Sequence, residues 1–563
     1  MRYSEFVETV VGFSAWDEHL LPSPTHILSE LLLLPLLLSS PGAVIGKRSG
    51  MSAYETLEQL QKEIEMRLSF DWVLPTKPIA RKVAIVGGRA LGDEESGLYS
   101  SQSFFEAAQA LGMSIIVFEN EGHWLQSDKY GYLREEFVPL DMYNLAELPR
   151  LMADVIENRG DIDGIATFTD QYVEATAQAA EIMNLPTDPS WAMIQAHRKH
   201  EMRMLVHNNN IQAIHIDNTE QLEHPDRAQE LEALRFPLVV KPGRSLGSRG
   251  VQKVTNKADL HHAVRVVQDS GLAAQGILIE TYVDGPELDA NFALWEGEVA
   301  FVEVTDNFPC RGDGVAGGSN EFGPATNFAE TVLVSNTGLP AAEVDVIRKS
   351  LHESLLKLGF RSGVFHVEAR MQNSSVRYRD ARGDGILDLV ACDDGGVATG
   401  QQPDVFLIEV NARTPGTGGT WSTIFTYGVD LGALLLLRAV NDAERFAALS
   451  QPFAYPRSHG GSGGGAQFWS AHCMIPIHRD NIRVPHRFFD KVYRAAPEIM
   501  SSVMRAEMYA EPGTVVSPTG GIGWIGYVLV YSRASRRHVL EMYKRITEVS
   551  IRVLEDVTEF SSD

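Results

Sequence analysis

Two short segments decide the fold: GVFHVEAR at residues 363–370 and VFLIEVNAR at residues 405–413. We interpret both as strands, over 364–370 and 405–413, in which successive side chains point to opposite faces. One face of this pair of strands then carries the polar side chains: His366, Glu368, Glu409, Asn411 and Arg413.

These polar side chains predict a site for metal and phosphate. Oxygen ligands on adjacent strands suit Mg²⁺, which prefers a few carboxylates together with phosphate oxygens, and the predicted ligands are Glu368, Glu409 and Asn411. Arg413 would face a phosphoryl group during its transfer. His366 would either contact phosphate or substrate or be a hydrogen-bonded wall residue. The alternative for each glutamate is a simple pairing with an arginine.

A glycine loop follows a buried strand in FPLVVKPGRSLGSRGVQKV, residues 236–254. Small residues let backbone N–H groups approach a polyphosphate, and Lys241 supplies a cation beside them. The loop at 243–250, with Gly247 and Ser248, is therefore a candidate phosphate site. An ordinary hairpin with turn glycines is the alternative.

The next segment, ILIETYVDGPELDANFAL at residues 277–294, has the order of a hinge that lies along an adenine base. We predict this hinge at 280–287, with main-chain groups reading the base edge and carboxylates placed for the exocyclic amine and a ribose hydroxyl. A strand with solvated acids is the alternative. The residues of this candidate hinge are Glu280, Tyr282, Val283 and Glu287.

Length and charge restrict the class of protein. The chain has 563 residues, of which 44% are hydrophobic, enough for three or four structural units. Its formal charge of −25 argues against a nucleic-acid-binding protein, because a phosphate backbone would be repelled. The three cysteines lack metal-ligand spacing, which predicts no disulfide framework and a cytoplasmic location. Adjacent His472 and Cys473 point to opposite strand faces and so form no nucleophile–base pair.

Changes of pattern divide the chain into four predicted parts. Residues 1–77 form a helical N-terminal extension, and 78–190 form an open parallel-sheet domain of strand–helix units. Residues 191–440 carry the motifs, and 441–563 form a closing α/β domain. A polar, glycine-rich segment at 377–404 is interpreted as a surface insertion.

The leucine-rich segment HILSELLLLPLLLSSPGAVIG, residues 26–46, is the candidate for a membrane anchor. Its clean apolar run is shorter than the roughly 20 residues that a membrane span needs. We therefore predict a buried or partner-facing helix, with a membrane anchor as the alternative.

The order of these motifs resembles that of the ATP-grasp superfamily of carboxylate–amine ligases, over roughly residues 80–550. HRKHEMRML, at 197–205, is similar to the K-x-x-M-R element of that family. NFAETVLVSNTGLP, at 327–340, is most similar to a segment of L-amino-acid ligases and carnosine-synthase-like ligases. The resemblance implies an ATP-grasp fold at 191–440, which follows the parallel-sheet domain in the sequence.

The resemblance also implies a set of residue roles. ATP and Mg²⁺, with Mn²⁺ as an alternative ion, would be the cofactors. This sequence departs from the family pattern in two places. Relatives often have a histidine where this chain has Leu333, and the segment between the strands at 364–370 and 405–413, which we call the metal strands, is longer here. The implied roles are ATP phosphates for Lys199 and Lys241, adenine for Glu280 and the Tyr282–Val283 backbone, ribose for Glu287, magnesium for Glu368, Glu409 and Asn411, the transferred phosphoryl group for Arg413, and the substrate amino group for Glu330.

The predicted activity is ATP-dependent amide or peptide bond formation between a carboxylic or amino acid and an amino acid, through an acyl phosphate. The loops at 243–250 and 306–327 are the candidate lids. Three alternatives stay open: a carboxylase or purine-type ligase, a catalytically silent nucleotide-binding protein, and a membrane-associated interaction protein. The predicted partners are small-molecule substrates, without nucleic acid or membrane, and a homodimer is an open alternative.

Overall fold

A computed structural model describes residues 7–12, 42–46, 50–67, 79–92, 98–206, 211–245, 247–310, 313, 328, 330–392, 402–453, 465–518 and 523–559. The strands are β1 (Val7–Gly12), β2 (Gly42–Gly46), β3 (Arg81–Val86), β4 (Met113–Glu119), β5 (Glu136–Pro139), β6 (Gly164–Ala166), β7 (Ala213–Ile216), β8 (Leu238–Pro242), β9 (Gln252–Val254), β10 (Ile277–Thr281), β11 (Glu287–Trp295), β12 (Glu298–Asn307), β13 (Val332–Ser335), β14 (Gly363–Gln372), β15 (Val376–Arg379), β16 (Asp388–Ala391), β17 (Asp404–Asn411), β18 (Trp469–Pro476), β19 (Ile482–Arg483), β20 (Val503–Met508), β21 (Val515–Val516) and β22 (Trp524–Ser532). The α-helices are α1 (Ala53–Arg67), α2 (Gln102–Leu111), α3 (Leu148–Arg159), α4 (Val173–Ile182), α5 (Ser190–His197), α6 (Lys199–Leu205), α7 (Ala228–Glu232), α8 (Lys257–Asp269), α9 (Ala341–Lys357), α10 (Thr417–Tyr427), α11 (Leu431–Ala439), α12 (Ala443–Leu449), α13 (Phe488–Ala495) and α14 (Arg536–Glu559).

The N-terminal extension is not wholly helical, which corrects the prediction for residues 1–77. Strands β1 and β2 pair antiparallel, and the β-branched residues in VETVVG and GAVIG favour that conformation. Helix α1 lies within the predicted helical extension, but its apolar side chains Tyr54 and Leu57 are exposed. Of the leucine-rich segment, only β2 lies within the described residues.

The next unit is the predicted open parallel sheet. Its strands pair in the order β5-β4-β3-β6, all in parallel. Helix α2 ends at Gly112, whose φ of 69° is the left-handed conformation that glycine adopts without strain. Buried residues of α2 and α3 pack on the apolar strands β3 and β4, as expected of a strand–helix alternation.

A small antiparallel sheet follows, in the order β7-β10-β8-β9. Helix α8 packs on it through Leu260, Ala263, Val264 and Val267. The glycine loop connects β8 to β9 and therefore lies at the edge of this small sheet.

The largest sheet has eight antiparallel strands in the order β17-β14-β11-β12-β13-β18-β22-β20. Strand β14 shows why one face of this sheet carries the polar groups. Phe365, Val367 and Ala369 join the apolar core under α9, whereas His366 and Glu368 point to the opposite face. The predicted alternation of apolar and polar faces is thus confirmed for β14.

Strand β17 departs from simple alternation at Ile408. Glu368 of β14 lies opposite Glu409, but the next residue of β14, Ala369, lies opposite Leu407, so Ile408 is an extra residue in a β-bulge. Ile408 and Glu409 consequently both face the polar side of the sheet. A strict period of two predicts them on opposite sides.

Most of the strands after residue 441 belong to the large sheet, in contrast to the predicted separate closing domain; only the short strands β19 and β21 pair with each other among the described residues. Strands β18, β22 and β20 extend the large sheet, and α14 packs against them through Val539, Leu540 and Ile546. This C-terminal part therefore shares its sheet with the two strands that define the fold.

The segment predicted as a surface insertion is partly built into the C-terminal core. Strands β15 and β16 form a hairpin whose Tyr378 and Ile386 are buried against residues of β18 and α14. Arg536 of α14 binds Asp388 of the hairpin at 2.8 Å and Asp306 of β12 at 2.6 Å. The insertion is therefore structural in its first half, and residues 393–401 lie outside the described residues.

Among the described residues, no single helix has both the length and the apolar composition that a membrane crossing requires. Helices α10 and α11, which meet at an angle of 103°, are long and apolar enough for a membrane crossing only when the two are taken together. Both of these helices are largely buried in the structure.

Replacing Tyr378 by Ala should reveal the structural role of the hairpin. The ring is buried, its centroid lies 4.7 Å from that of Phe308, and its hydroxyl donates to the Asn307 carbonyl at 3.3 Å. We expect the free energy of unfolding, measured in urea, to fall by about 3 to 5 kcal/mol. Arg382→Ala at the exposed hairpin tip should change it by less than about 0.5 kcal/mol. Equal effects of the two variants would contradict the built-in hairpin.

Candidate functional site

The predicted site residues come together in one cleft between the small sheet and the large sheet. It contains a cavity of about 140 Å³. A second cavity of about 330 Å³ adjoins it, and the two share wall residues, among them Gly247 and Trp524. The first cavity is lined by the predicted residues Lys199, Lys241, Gly247, Ser248, Glu280, Tyr282, Val283, Glu287, Glu330, Glu368, Glu409, Asn411 and Arg413, and the second by His366.

A buried cluster of charges joins the two sheets at the base of the cleft. Glu280 on β10 accepts from Arg203 of α6 at 2.8 Å and forms an ion pair with Lys241 on β8. Arg203 also donates to the Leu407 carbonyl of β17 at 2.5 Å. Burial disfavours ionised Glu280, but the two cations outweigh it and lower its pKa, whereas burial lowers the pKa of Lys241.

This cluster changes the interpretation of Glu280. Its carboxylate is 2% exposed and contacts two cations, so it holds Lys241 in position beside the glycine loop. The sequence did not identify Arg203, although Lys199 and Arg203 are four residues apart and so share one face of a helix. That spacing was the available signal.

Lys199 lies at the first residue of α6 and reaches across the cleft. Its ammonium group contacts Glu409 at 2.5 Å, and its backbone N–H donates to the Gly243 carbonyl at 3.4 Å. Burial disfavours the charge of Lys199, but the attraction of Glu409 outweighs burial and raises the pKa of this lysine. A cation and an acid of the same cleft thus neutralise one another.

The two glutamates of the metal strands lie opposite each other in register. Burial and the charge of Glu409 raise the pKa of Glu368 well above its usual value, which is the electrostatic environment that a cation relieves. Asn411 carries an amide oxygen on the same face, at 3.3 Å from an N–H of Arg413.

These groups fit a magnesium ion that is bound jointly by protein and phosphate. Two carboxylates and one amide oxygen leave most of its coordination positions to other oxygens, as Mg²⁺ prefers. Among the described residues, no cluster of three or more His, Cys, Asp or Glu side chains has metal-binding geometry. The donor set therefore favours an ion that arrives with phosphate over an ion held by protein side chains alone.

The glycine loop turns sharply where it meets the cleft. Gly247 and Ser248 have φ values of 58° and 56°, and both line the first cavity. At Gly243 an added Cβ would lie 2.1 Å from the Gln275 carbonyl oxygen, so only glycine fits there. The loop thus brings main-chain groups to the side of the cleft that also holds Lys241.

Arg370 organises the hinge and was missed by the sequence analysis. Its guanidinium contacts Glu287 at 2.6 Å, Asp313 at 2.5 Å, the Tyr282 hydroxyl at 3.0 Å and the Val283 carbonyl at 3.2 Å. The period of two in β14 places it on the face of Glu368, so the signal was present in the segment that decides the fold.

An apolar wall completes the hinge side of the cleft. Val283 packs with Phe406 and Ile408 of β17 and with Ile211. The bulge at Ile408 lets this wall and Glu409 share one face of the strand. A flat apolar ring would fit between this wall and the hinge backbone.

Arg413 and Glu330 lie where the two cavities meet. Arg413 contacts Asp170 of the parallel-sheet domain at 3.0 Å and so ties that domain to the cleft. Burial and the charge of Glu287 raise the pKa of Glu330 to about 7. The predicted lid at 306–327 is described only at residues 306–310 and 313.

His366 faces the second cavity. Its Nδ1 lies 2.9 Å from the Asn291 side-chain oxygen, and its Nε2 lies 3.8 Å from Glu368. Burial and the charge of Arg413 lower its pKa to about 3, so the imidazole is neutral at pH 7. His472 also lines this cavity, whereas Cys473 packs in the apolar core on the other side of β18, which confirms that they do not form a pair.

The chain is similar to known proteins in sequence and in structure. Two family models match, the ATP-grasp N-terminal domain over residues 105–187 and the ATP-grasp domain over 234–378. The chain is 29% identical over 566 residues to the ATP-grasp enzyme fsqD of Aspergillus fumigatus, covering 97% of this chain and 93% of that protein. It is 25% identical over 317 residues to carnosine synthase 1 of Homo sapiens, covering 52% of this chain and 36% of that protein. The solved structure of L-amino acid ligase from Bacillus licheniformis has the same fold, with a TM-score of 0.59 at 20% identity, covering 84% of this chain and 98% of that one.

Replacing Glu280 by Gln should destabilise the protein because Lys241 and Arg203 would then lie buried without a countercharge. Removing one partner of a buried ion pair costs about 3 to 5 kcal/mol, so we expect thermal unfolding several degrees below that of the wild type. Glu232→Gln at an exposed position should leave the midpoint unchanged. An unchanged midpoint for Glu280→Gln would show that this carboxylate does not hold the two cations.

Proposed function

The chain belongs to the ATP-grasp superfamily of carboxylate–amine ligases, and on this premise we propose that it joins a carboxylic or amino acid to an amino acid while ATP is converted to ADP and phosphate. The observation that carries the proposal is the convergence of distant chain regions on one cleft. Lys199, Lys241 and the paired Glu368 and Glu409 line the same cavity of about 140 Å³.

The nucleotide would occupy this first cavity. The apolar wall and the hinge backbone at Tyr282–Val283 suit a base, and Glu287 suits a ribose hydroxyl. Lys199, Lys241 and the glycine loop with Gly247 and Ser248 suit the phosphates. Glu280 supports this arrangement by its contacts with Lys241 and Arg203 and so acts as a positioning residue.

Two chemical steps follow from this placement. A carboxylate oxygen of the acid substrate attacks the γ-phosphorus, the bond to the β–γ bridging oxygen breaks, and ADP leaves. The amine then attacks the carbonyl carbon of the acyl phosphate, phosphate leaves, and the amine nitrogen loses a proton. Positioning and charge neutralisation carry most of such catalysis, so the roles fall to cations rather than to a nucleophilic side chain.

The residues at the junction of the cavities would act on the transferred group. Arg413, held by Asp170, offers N–H donors to the phosphoryl oxygens. Glu330 accepts hydrogen bonds from the amino group of a substrate amino acid. The neutral His366 offers a ring nitrogen toward the same junction. Glu368, Glu409 and Asn411 would hold Mg²⁺, which neutralises phosphate charge when bound.

The ion pair between Lys199 and Glu409 inside the cleft supports the proposal. Among the described residues, the Lys199 ammonium group pairs with Glu409 alone. A magnesium–phosphate unit offers a cation to the glutamate and phosphate oxygens to the lysine, so it can replace the internal ion pair without leaving either charge buried and unpaired.

A panel of amino acids and carboxylic acids, assayed in pairs for phosphate release and product mass, tests the activity directly. We expect phosphate release that requires two organic substrates, together with an amide product whose mass equals that of the two substrates minus water. Phosphate release with bicarbonate alone would instead support a carboxylase. ATP binding without substrate-stimulated release would support a silent nucleotide-binding protein.

Replacing Glu409 by Gln should reduce ADP formation at least 100-fold, because one carboxylate of the predicted metal site is lost. The measurement is ADP release at saturating Mg²⁺ and ATP, together with thermal unfolding to show that the chain stays folded. Glu353→Gln, at an exposed position of α9, is the matched control and should retain full turnover. Normal turnover of Glu409→Gln would refute the proposed metal site.

Replacing Lys241 by Ala should weaken ATP binding by about 10- to 100-fold, because a charge-assisted contact with phosphate is lost. Arg203 still neutralises Glu280 in this variant, so folding should be preserved. Binding is measured by titration with a non-hydrolysable ATP analogue. Lys257 is exposed on α8, which packs on the same small sheet, and Lys257→Ala should bind the ATP analogue as the wild type does. Unchanged affinity of Lys241→Ala would exclude its predicted phosphate contact.

A further inference from the structure

The nucleotide and metal contacts described above leave the buried residue His197 without a role. It is the last residue of α5, and it is 5% exposed. Its Nδ1 lies 3.0 Å from an oxygen of Glu174, and its Nε2 lies 3.5 Å from an oxygen of Asp170. Glu174 is in α4 and Asp170 is in the turn before it, so the ring faces two acids of the parallel-sheet domain.

Each of these two acids also binds an arginine of the cleft. The Asp170 oxygen that faces His197 accepts from Arg413 at 3.0 Å, and the Glu174 oxygen that faces His197 lies 3.1 Å from Arg244. Arg413 follows β17 and lies where the two cavities meet, whereas Arg244 belongs to the glycine loop. We call this row of side chains the ion chain; its order is Arg413, Asp170, His197, Glu174 and Arg244.

The geometry requires a protonated ring at the centre of the ion chain. A neutral imidazole has one N–H donor and one unprotonated nitrogen, which is an acceptor. With a carboxylate at each ring nitrogen, a neutral His197 would direct its lone pair at one of the two acids. The imidazolium cation has an N–H at both nitrogens and therefore serves both acids.

The surroundings favour this cation. Burial alone would lower the pKa of His197, but Asp170 and Glu174 outweigh burial and raise it. The position of His197 at the C-terminal end of α5 adds the negative end of the helix dipole. The other charged groups that face this row, Arg244 and Arg413, each lie beyond an acid, so the ring stays between two negative groups.

The two acids respond to the same contacts. The hydrogen bond with His197 lowers the pKa of Glu174. Burial would raise the pKa of Asp170, but His197 and Arg413 lower it well below its usual range. Both acids are therefore ionised at neutral pH, and the ion chain alternates in charge along its whole length.

The position of Arg413 depends on this alternation. Its other contacts are neutral, namely the Thr414 carbonyl at 2.8 Å and the Asn411 side-chain oxygen at 3.3 Å. Among the described residues, Asp170 is the acid with which Arg413 forms an ion pair. If the ring lost its proton, one acid would face a lone pair, and that acid would shift together with the arginine that it holds.

We propose that protonated His197 is a positioning residue for the ligase reaction, holding Arg413 at the transferred phosphoryl group through Asp170 and the glycine loop at Arg244 through Glu174. This inference rests on the proposed function. His197 acts only through other residues, so its effect is on the placement of Arg413 and of the loop rather than on a reacting atom.

Replacing His197 by Gln tests the proposal, because glutamine can form hydrogen bonds but carries no charge. At pH 7 we expect kcat for ADP formation to fall about 10- to 100-fold, since a small displacement of a group that stabilises the transferred phosphoryl group is costly. His262→Gln, exposed on α8, is the matched control and should turn over as the wild type does. A wild-type kcat in His197→Gln would overturn the proposal.

Variants of the two acids separate the two ends of the ion chain. Asp170→Asn acts through Arg413, so it should lower kcat more than it weakens binding of a non-hydrolysable ATP analogue. Glu174→Gln acts through Arg244, so it should weaken binding of the analogue by about 3- to 10-fold and lower kcat less than Asp170→Asn does. The same loss of kcat and of binding in both variants would indicate a general packing defect and would overturn the proposal.

The dependence of kcat on pH distinguishes positioning from packing. As pH rises through the raised pKa of His197, the ring loses its proton, so wild-type kcat at saturating substrates should fall on the alkaline side. In His197→Gln the residue does not titrate, and this fall should be absent. A fall with the wild-type size and midpoint in His197→Gln would contradict the role of the ring proton.

A stability measurement tests the ion chain without turnover. Because folding raises the pKa of His197, its stabilising effect is fully present below the ordinary histidine pKa of about 6.5 and is lost as pH rises through the folded value. Thermal unfolding of the wild type should therefore lie several degrees above that of His197→Gln at pH 6, and this gap should narrow at pH 9.

The two measurements can fail separately. If no pair of substrates releases phosphate, the proposed function fails, and the gap in thermal unfolding still decides the ion chain. If phosphate is released but the gap is equal at pH 6 and pH 9, the proposed function stands, and the protonated His197 of the ion chain is overturned.

Discussion

The cleft depends on one electrostatic constraint: each cation buried in it must face an acid. Lys199 meets Glu409, Lys241 and Arg203 meet Glu280, and Arg370 meets Glu287 and Asp313. A buried charge without a partner costs several kcal/mol, so these pairs fix how the small sheet, α6 and the large sheet lie relative to one another. The same residues serve phosphate and metal, because both bring countercharges that can replace those of the protein.

Much of this architecture could be predicted from the sequence, because it depends on local patterns. The alternation in GVFHVEAR places His366 and Glu368 on the polar face, and the glycine spacing after Lys241 marks the loop. The bulge at Ile408 could not be predicted, because it depends on the register with β14. The contacts of Glu280 and Arg370 also join residues far apart in sequence, which no periodicity reveals.

The N-terminal extension and the hairpin of β15 and β16 also show what a local sequence pattern leaves undetermined. The period of α1 predicts a helix but not whether its apolar stripe is covered, and two short valine-containing segments pair as β1 and β2 although 29 residues outside the described part separate them. The polar composition around Tyr378 indicates a loop, yet one aromatic ring and the Arg536 ion pairs are enough to anchor the hairpin in the C-terminal core. Composition reports the average environment of a segment, whereas anchoring depends on single side chains.

The continuity of the large sheet determines which of the two sheets beside the cleft can move relative to the other. The metal strands and the C-terminal strands are linked by an unbroken ladder of hydrogen bonds, so they form one rigid frame. Separating them would sacrifice many backbone hydrogen bonds, whereas the small sheet meets the frame mainly through side chains. Arg203 contacts Glu280 on the small sheet and the Leu407 carbonyl on the frame, and it therefore joins the two. Of the two sheets that border the cleft, the small sheet is therefore the one whose displacement breaks the fewest backbone hydrogen bonds.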